Sequence, residues 1–248
     1  MVSKTARPQV PDEDEIDDPT IEYPSSDGEP MAESEAQYTP LTETVSTLRV
    51  RYHEHEDVYV GGDMLIYYRM NRNDVRVAPD VFVVFGVTSR HPRDSWLVWR
   101  EGRAPDFIME IASSRTWRRD ATEKRRIYAD MGVTEYVRFD PTGNYFTPAL
   151  VLERLDGAEY REQPLTTGDD GNLRAHSVML GLDLAVAPDL TLRLYDPATG
   201  EWLRTHQESE FALQDSEAAL QASEAGRQAA EAEVARLREQ LAHLRQQT

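Results

Sequence analysis

The chain has 248 residues, enough for one substantial domain with extensions, and it contains no cysteine, which excludes disulfides, thiolate metal sites and a cysteine nucleophile. Its formal net charge of -18 argues against a broad basic surface for nucleic acid. No apolar run approaches the roughly 20 residues that a membrane span requires, and no apolar signal region is seen at the N-terminus, so we expect a soluble cytoplasmic protein.

The first 38 residues form an acidic segment. They hold eleven Asp and Glu side chains against Lys4 and Arg7, so half of the net charge lies there. Few of these residues are large and apolar, so burial cannot offset the entropy lost on ordering. We therefore predict a disordered acidic tail over residues 1–38, either simply solvated or acting as a regulatory or DNA-mimicking element.

Periodicity along residues 39–204 predicts an α/β domain. Apolar residues at helical spacing predict a first helix that is capped by Thr39 and has Pro40 at its first position. A second helix is predicted over 119–131, between two strands, which is typical of a crossover unit in an α/β core. The predicted strands cover 58–60, 64–68, 75–85, 107–112, 136–140, 149–155, 180–184 and 190–195.

Residues 205–248 are rich in Ala, Glu, Gln and Arg and contain no proline, which predicts one long helix. Apolar residues recur in a seven-residue frame that Arg227 interrupts. The frame comprises Leu213, Leu220, Val234 and Leu241, with Leu237 and Leu244 at the alternate position. We expect a coiled coil that forms a homodimer; the alternative is a single helix that folds back on the domain.

Two carboxylates stand out within apolar strands. Glu110 alternates with Phe107, Met109 and Ile111, so it points to the opposite face of its strand. A carboxylate there needs a cation, a metal or several donors, unless it occupies a partly exposed position near the sheet end. Asp80 precedes the most apolar strand of the chain, where a turn-type aspartate after proline is the simpler interpretation.

Lys124 is the only lysine within the predicted domain, since the chain has just two. Its spacing places it on the same helical face as Ala121, Tyr128 and Met131, which should face the core, whereas Asp120 is expected mostly off that face. Either the ammonium meets a buried anion such as Glu110, or the side chain lays its stem on apolar surface and lifts the amine to water.

Two carboxylates and a lysine on neighbouring elements suit phosphodiester cleavage. Carboxylates hold a divalent ion through hard oxygen ligands, and such an ion activates water and offsets phosphate charge. A lysine can orient the water or stabilise the transition state.

At these residues the chain resembles the Uma family of restriction endonucleases, within the PD-(D/E)XK nuclease superfamily. The resemblance covers about residues 40–200. It is carried by Ala78-Pro79-Asp80-Val81, Glu110-Ile111-Ala112-Ser113, Arg119-Asp120, Glu123-Lys124, Tyr128, Gly132-Val133, Glu135-Tyr136 and Phe139-Asp140-Pro141.

The resemblance implies a restriction-endonuclease-like core, a central mixed β-sheet flanked by helices. It also implies that Asp80 and Glu110 bind Mg²⁺, or Mn²⁺ in its place. The superfamily pattern has lysine two residues after the glutamate, where this chain has Ala112, and the resemblance moves that role to Lys124. Glu43 of the first helix is a further acidic candidate.

These observations predict a Mg²⁺-dependent DNA endonuclease with Asp80, Glu110 and Lys124 as catalytic residues. The alternative is a catalytically silent binding or assembly module on a nuclease fold that dimerises through its coiled coil. The acidic charge and the C-terminal helix favour that alternative.

Overall fold

The computed structural model describes residues 16–26, 28, 34–87 and 91–246, with the backbone alone at 235 and 239–246. The chain forms two compact units, of which the first ends at Leu203 and the second begins at Arg204. Much of the predicted acidic tail, namely 1–15, 27 and 29–33, lies outside the described residues.

Strands of the first unit follow one another with few helices between them. In chain order they are β1 (Val58–Gly61), β2 (Ile66–Tyr67), β3 (Arg76–Val77), β4 (Val81–Phe85), β5 (Trp96–Leu97), β6 (Phe107–Ile111), β7 (Glu135–Phe139), β8 (Leu150–Asp156), β9 (Glu159–Glu162), β10 (Thr166–Thr167), β11 (Leu173–Ser177), β12 (Leu182–Val186), β13 (Leu192–Asp196) and β14 (Glu201–Trp202). The helices are α1 (Glu35–Arg51), α2 (Val98–Glu101), α3 (Trp117–Arg119), a π-helical turn (Asp120–Lys124) and α4 (Arg125–Asp130), with α5 (His206–Gln246) forming the second unit.

The central sheet has six strands in the order β1-β4-β6-β7-β8-β9. Strands β6 and β7 pair in parallel, whereas the other described pairs of this sheet are antiparallel. A parallel pair requires a crossover connection, and the helical segment from α3 to α4 supplies it. The structure thus confirms the predicted mixed sheet and its strand–helix–strand unit.

The two faces of the central sheet carry different cores. Val81, Val83 and Met109 join a core that also includes Leu48 of α1 and Leu184 of β12. The antiparallel sheet of β10 to β14 and helix α1 therefore cover this face. Because successive side chains of a strand alternate, the neighbouring residues point to the opposite face.

That opposite face is covered by α4 and by the small sheet of order β3-β2-β5. Phe82 and Ile108 of the central sheet pack there with Ile66, Trp96 and Tyr128. Glu110 follows Ile108 by two residues and so belongs to this face. The fold consequently directs Glu110 towards the crossover helix that carries Lys124.

Helix α1 begins at Glu35, not at Pro40 after a Thr39 cap as predicted, and Pro40 lies inside it. Gln37 is buried and its Nε2 donates to the carbonyl of Ile111 at 3.4 Å, which anchors the extra turn to β6. Pro40 has no backbone N–H, so the carbonyl of Ala36 lacks its helical hydrogen-bond donor. Ala36 is exposed, and water can donate to this carbonyl instead.

Residues 16–26, which the sequence places in the acidic tail, contact the small sheet. The ring of Tyr23 lies 5.0 Å from that of Tyr67 and 5.3 Å from that of Trp99. The Tyr67 hydroxyl donates to the carbonyl of Pro24 at 2.8 Å, and Asp17 pairs with Arg100 at 2.6 Å. One aromatic anchor and a few polar contacts thus place this part of the segment against the domain, although its composition is poor in apolar residues.

Candidate active site

Asp80 and Glu110 meet at one edge of the central sheet. Strands β4 and β6 are antiparallel, with Val81 opposite Met109, so one further step of the register brings Asp80 opposite Glu110. Asp80 Oδ2 accepts a hydrogen bond from the backbone N–H of Ile111 at 2.6 Å. The turn-type role considered for Asp80 is therefore wrong, because its carboxylate reaches across to the neighbouring strand.

Glu110 is buried, with 2% of its surface exposed. Its Oε2 accepts from the Lys124 ammonium at 2.9 Å, and its Oε1 accepts from the Tyr128 hydroxyl. The alternative of a partly exposed position near the sheet end is thereby excluded. Both partners come from the crossover helix, so each carboxylate oxygen of Glu110 holds that helix against the sheet.

The Lys124 ammonium is buried rather than lifted into water. Besides Glu110 it contacts Asp120 Oδ1 at 3.2 Å and donates to the carbonyl of Ala78 at 3.3 Å. Ala78 lies two residues before Asp80, so the ammonium connects the approach to β4 with the end of β6. Three predicted site residues are thus brought to one buried cluster, although their catalytic roles remain predictions.

Asp120 is a member of this cluster that the sequence interpretation missed. It is 2% exposed, whereas its spacing was taken to place it mostly off the inward face; that expectation was wrong. Among the described residues, neither of its carboxylate oxygens has a hydrogen-bond partner, and its contact with Lys124 is an ion pair without hydrogen-bond geometry. The sequence could have indicated this contact, because residues four apart on a helix are neighbours and Asp120 precedes Lys124 by four.

The pKa values of the cluster are shifted first by burial and then by the charges of its members. Burial raises the pKa of Asp80 to about 6, although Lys124 and the Ile111 N–H oppose the shift. Burial also raises the pKa of Glu110 well above its usual value, against the attraction of Lys124. Burial alone would lower the pKa of Lys124, but Glu110, Asp120 and Asp80 together raise it, so the lysine stays charged at neutral pH.

Donor chemistry at this cluster fits a hard divalent cation, because Asp80, Glu110 and Asp120 offer carboxylate oxygens, and those of Asp120 have no hydrogen-bond partner in the part of the chain that the structure describes. Within the described ranges, however, no group of three His, Asp or Glu residues converges closely enough to hold a metal ion. The carboxylates of Glu110 and Asp120 converge on the Lys124 ammonium instead. A metal ion would have to compete with that ammonium.

Glu43, the further acidic candidate, is half-buried in α1. Its backbone carbonyl accepts from the Ser46 hydroxyl at 3.0 Å. In the part of the chain that the structure describes, its carboxylate makes no hydrogen bond or ion pair to Asp80, Glu110 or Lys124. Glu43 therefore does not share the hydrogen bonds and ion pairs of the cluster, and its role as a further acidic residue stays a prediction.

The mixed sheet with its crossover helix and the buried cluster of acids and one lysine define a restriction-endonuclease-like protein of the α/β class. A model of the Uma2 family, described as "Putative restriction endonuclease", matches residues 9–187. Since this match spans well over half of the 248 residues, the chain belongs to the Uma2 family. The predicted family resemblance is confirmed, and the family supports a nuclease.

Among solved structures, the chain is similar to a crystal structure from Anabaena variabilis described as a putative nuclease belonging to DUF820. The two share 18% identity with a TM-score of 0.41, over 56% of this chain and 74% of that one. The comparison with curated proteins finds no match. No helix in the described ranges is long and apolar enough to cross a membrane.

Proposed function

We propose that the protein is a Mg²⁺-dependent endonuclease that hydrolyses DNA phosphodiester bonds. The carrying observation is the buried cluster itself, in which Glu110 and Asp120 contact one ammonium and, among the described residues, the Asp120 oxygens have no hydrogen-bond partner. Buried charge without full compensation is unfavourable for stability and is typical of functional sites. Family membership supports the nuclease class.

Asp80 and Glu110 would hold the metal, and Asp120 is a third candidate ligand. Within the described ranges, Asp80 has one oxygen engaged by the Ile111 N–H and Asp120 has no oxygen in a hydrogen bond, so both have oxygens to offer. When bound, a divalent ion would lower the pKa of its water and offset the charge of the phosphate. Mn²⁺ is expected to replace Mg²⁺ because both prefer oxygen ligands.

Lys124 would orient water and the scissile phosphate. Its ammonium stays protonated because the surrounding carboxylates raise its pKa, so it supplies a fixed positive charge and not a base. The Tyr128 hydroxyl holds Glu110 Oε1 and thereby fixes the carboxylate that pairs with Lys124. A preorganised charge in a water-poor site stabilises developing negative charge more effectively than the same charge in water.

The first test is cleavage of supercoiled plasmid and single-stranded DNA with Mg²⁺ or Mn²⁺, comparing wild type with Glu110→Gln. We expect the substitution to reduce the rate at least about 100-fold, since it removes a charged ligand without changing side-chain volume. Glu153→Gln is the matched control, because Glu153 is an equally buried strand glutamate that pairs with Arg125 and Arg138 elsewhere. Equal activity of wild type and Glu110→Gln would contradict the proposal.

A second candidate function is a catalytically silent module on the nuclease fold that dimerises through its C-terminal helix. The observation in its favour is that Glu110 and Asp120 close on the Lys124 ammonium, as they would if that ammonium were the permanent counter-ion. Calorimetric titration with Mn²⁺ separates the two. Measurable binding that Asp80→Asn and Glu110→Gln both abolish supports the nuclease, whereas absence of binding supports the silent module.

A further inference from the structure

Two aromatic side chains stand at the same edge of the sheet as the candidate active site. Trp117 belongs to the connection that leaves β6, and Tyr145 belongs to the loop that leaves β7. Because β6 and β7 are parallel, their carboxyl ends lie at one edge, where Glu110 also lies. The N–H of Ala112 donates to the carbonyl of Phe139 at 2.8 Å, so the two connections start side by side.

The two rings form a stacked pair. Their centroids are 6.0 Å apart and their planes are inclined by 25°. The guanidinium of Arg118 lies over the Trp117 ring, 4.5 Å from its centroid. Trp117 and Tyr145 are half-buried and Arg118 is exposed, so aromatic surface and positive charge both face solvent.

Both loops are held in place by hydrogen bonds before any ligand arrives. Asp140 Oδ2 accepts from the N–H of Tyr145 at 2.6 Å and from that of Phe146 at 3.2 Å. Its Oδ1 accepts from the Thr142 N–H and hydroxyl and from the Gly143 N–H. In the connection that leaves β6, the Ser113 and Thr116 hydroxyls form a hydrogen bond of 3.1 Å. A ring pair on such loops loses little entropy when a planar ligand stacks on it.

Local charge differs in sign from that of the chain. Residues 113–119 contain Arg115, Arg118 and Arg119 and no acidic residue, although the chain carries a net charge of -18. Arg119 pairs with Glu123 at 3.1 Å. Within the described ranges the exposed Arg118 guanidinium has no carboxylate partner, so its charge is available to a phosphate.

Trp117 also lies close to the acid cluster along the chain. Asp120 follows it by three residues, which on a helix is one turn and the same side. A nucleotide stacked on Trp117 would therefore lie on the side of this helical segment that also carries Asp120 of the cluster. Base stacking on aromatic side chains beside a cationic residue is how proteins hold single-stranded nucleic acid without reading its sequence.

From these observations we infer that Trp117, Tyr145 and Arg118 form a stacking platform that binds an unpaired base of single-stranded DNA beside the candidate active site. This inference rests on the proposed nuclease function for its substrate class. Bases inside a duplex present their edges and not their faces, so the platform selects single strands, frayed ends or flaps over intact duplex.

The test is fluorescence anisotropy with a labelled oligothymidylate and a labelled hairpin duplex, in EDTA so that no cleavage intervenes. Trp117→Ala should weaken binding of the single strand by about tenfold to 100-fold, the range expected for loss of one base–aromatic stack, and change duplex binding by less than about threefold. Trp117→Phe retains a ring and should bind the single strand within about threefold of wild type.

Trp202→Ala is the matched control. Trp202 packs on Tyr195 with a centroid distance of 5.1 Å and has Arg193 5.4 Å from its ring, but it belongs to β14 of the second sheet. It should leave single-strand binding unchanged. Circular dichroism of each variant establishes that it is folded.

Unchanged single-strand affinity in folded Trp117→Ala, an equal loss in Trp202→Ala, an equal loss on duplex or no wild-type binding to the single strand would each overturn the inference. Plasmid cleavage is measured separately. Failure of cleavage with intact Trp117-dependent binding would therefore count against the nuclease function and not against the platform.

Discussion

Burial determines the protonation of Asp80, and its direction has a measurable consequence. Its pKa is raised to about 6 in the fold from an ordinary value of 3.8. The folded state therefore holds this proton more tightly than the unfolded chain, and stability falls as pH rises from about 4 to about 6. Above about pH 6, the ionised Asp80 carboxylate lowers the free energy of unfolding of the metal-free protein.

We predict that Asp80→Asn is more stable than wild type at pH 8, by about 1–3 kcal/mol, and nearly equal to it near pH 4. Asparagine is uncharged, of similar shape, and can still accept the hydrogen bond from the Ile111 N–H. Urea unfolding at both pH values measures the difference in the free energy of unfolding.

Asp140→Asn provides a control of opposite sign. Burial opposes its ionisation, but backbone and side-chain donors, led by the Tyr145 N–H, prevail and lower its pKa. This substitution should destabilise the protein at pH 8. A loss of stability in Asp80→Asn as large as that in Asp140→Asn would show that the ionised Asp80 is stabilised by the fold, contrary to our account.

At the residue scale, the alternation within β6 and the spacing of Lys124 were enough to predict that Glu110 and this lysine face inward. Asp120 was missed because Asp120 and Ala121 both adjoin Lys124 on a helix. Hydrophobicity alone predicts that the alanine, and not the aspartate, faces the core. Only the packed structure shows the aspartate buried, with the ammonium as its ionic partner.

At the element scale, the approach of β1 to its neighbours depends on two adjacent glycines. A Cβ on Gly62 would lie 2.6 Å from Val45 Cγ2 and 2.9 Å from the carbonyl oxygen of Asp80. A Cβ on Gly61 would instead clash with the ring of Phe82. A substitution at Gly62 would therefore strain the backbone at the candidate site, whereas one at Gly61 would strain only the core around Phe82.

We predict that Gly62→Ala and Gly61→Ala each destabilise the fold by about 1–3 kcal/mol, since both overpack a close contact. Only Gly62→Ala displaces the backbone at Asp80, so it alone should weaken Mn²⁺ binding and slow cleavage. Urea unfolding and calorimetry on the folded protein provide the two measurements. Wild-type Mn²⁺ affinity in Gly62→Ala would show that the backbone of Asp80 is not fixed by this contact.

Elements with strong periodicity were predicted well and those anchored by few contacts were not. The β6–helix–β7 unit carries long apolar patterns, and the structure confirms it. Residues 16–26 and the first turn of α1 lack such patterns, because Tyr23 and Gln37 are held by partners far along the chain. A local pattern cannot report a partner separated by more than 40 residues.

At the scale of the whole molecule, α5 carries an exposed apolar stripe. Leu213, Leu220, Val234 and Leu237 are between 46% and 61% exposed, whereas the side chains of Leu241 and Leu244 lie outside the described residues. A helix of 41 residues with such a stripe is typical of a coiled coil that needs a second strand. We propose that the stripe pairs two copies of the chain.

We predict that the full chain is a dimer by light scattering and that a chain ending at Thr205 is a monomer. The double substitution Val234→Glu and Leu237→Glu should shift the full chain towards monomer, because it places charges in the seam. Ala232→Glu lies on the same helix but off the seam, and it should leave the dimer intact. An unchanged mass in the truncated chain would mean that the dimer forms elsewhere or not at all.

The sequence by itself determined the type of most central elements, the inward faces of β6 and of the crossover helix, and the family. Periods of two and 3.6 residues record which side of each element is buried, and that information is local. The tertiary structure alone decided that Asp80 stands opposite Glu110, that Asp120 shares the ammonium of Lys124, and that Trp117 meets Tyr145. These juxtapositions depend on strand register and on the parallel pairing of β6 with β7, which arise from contacts between distant parts of the chain.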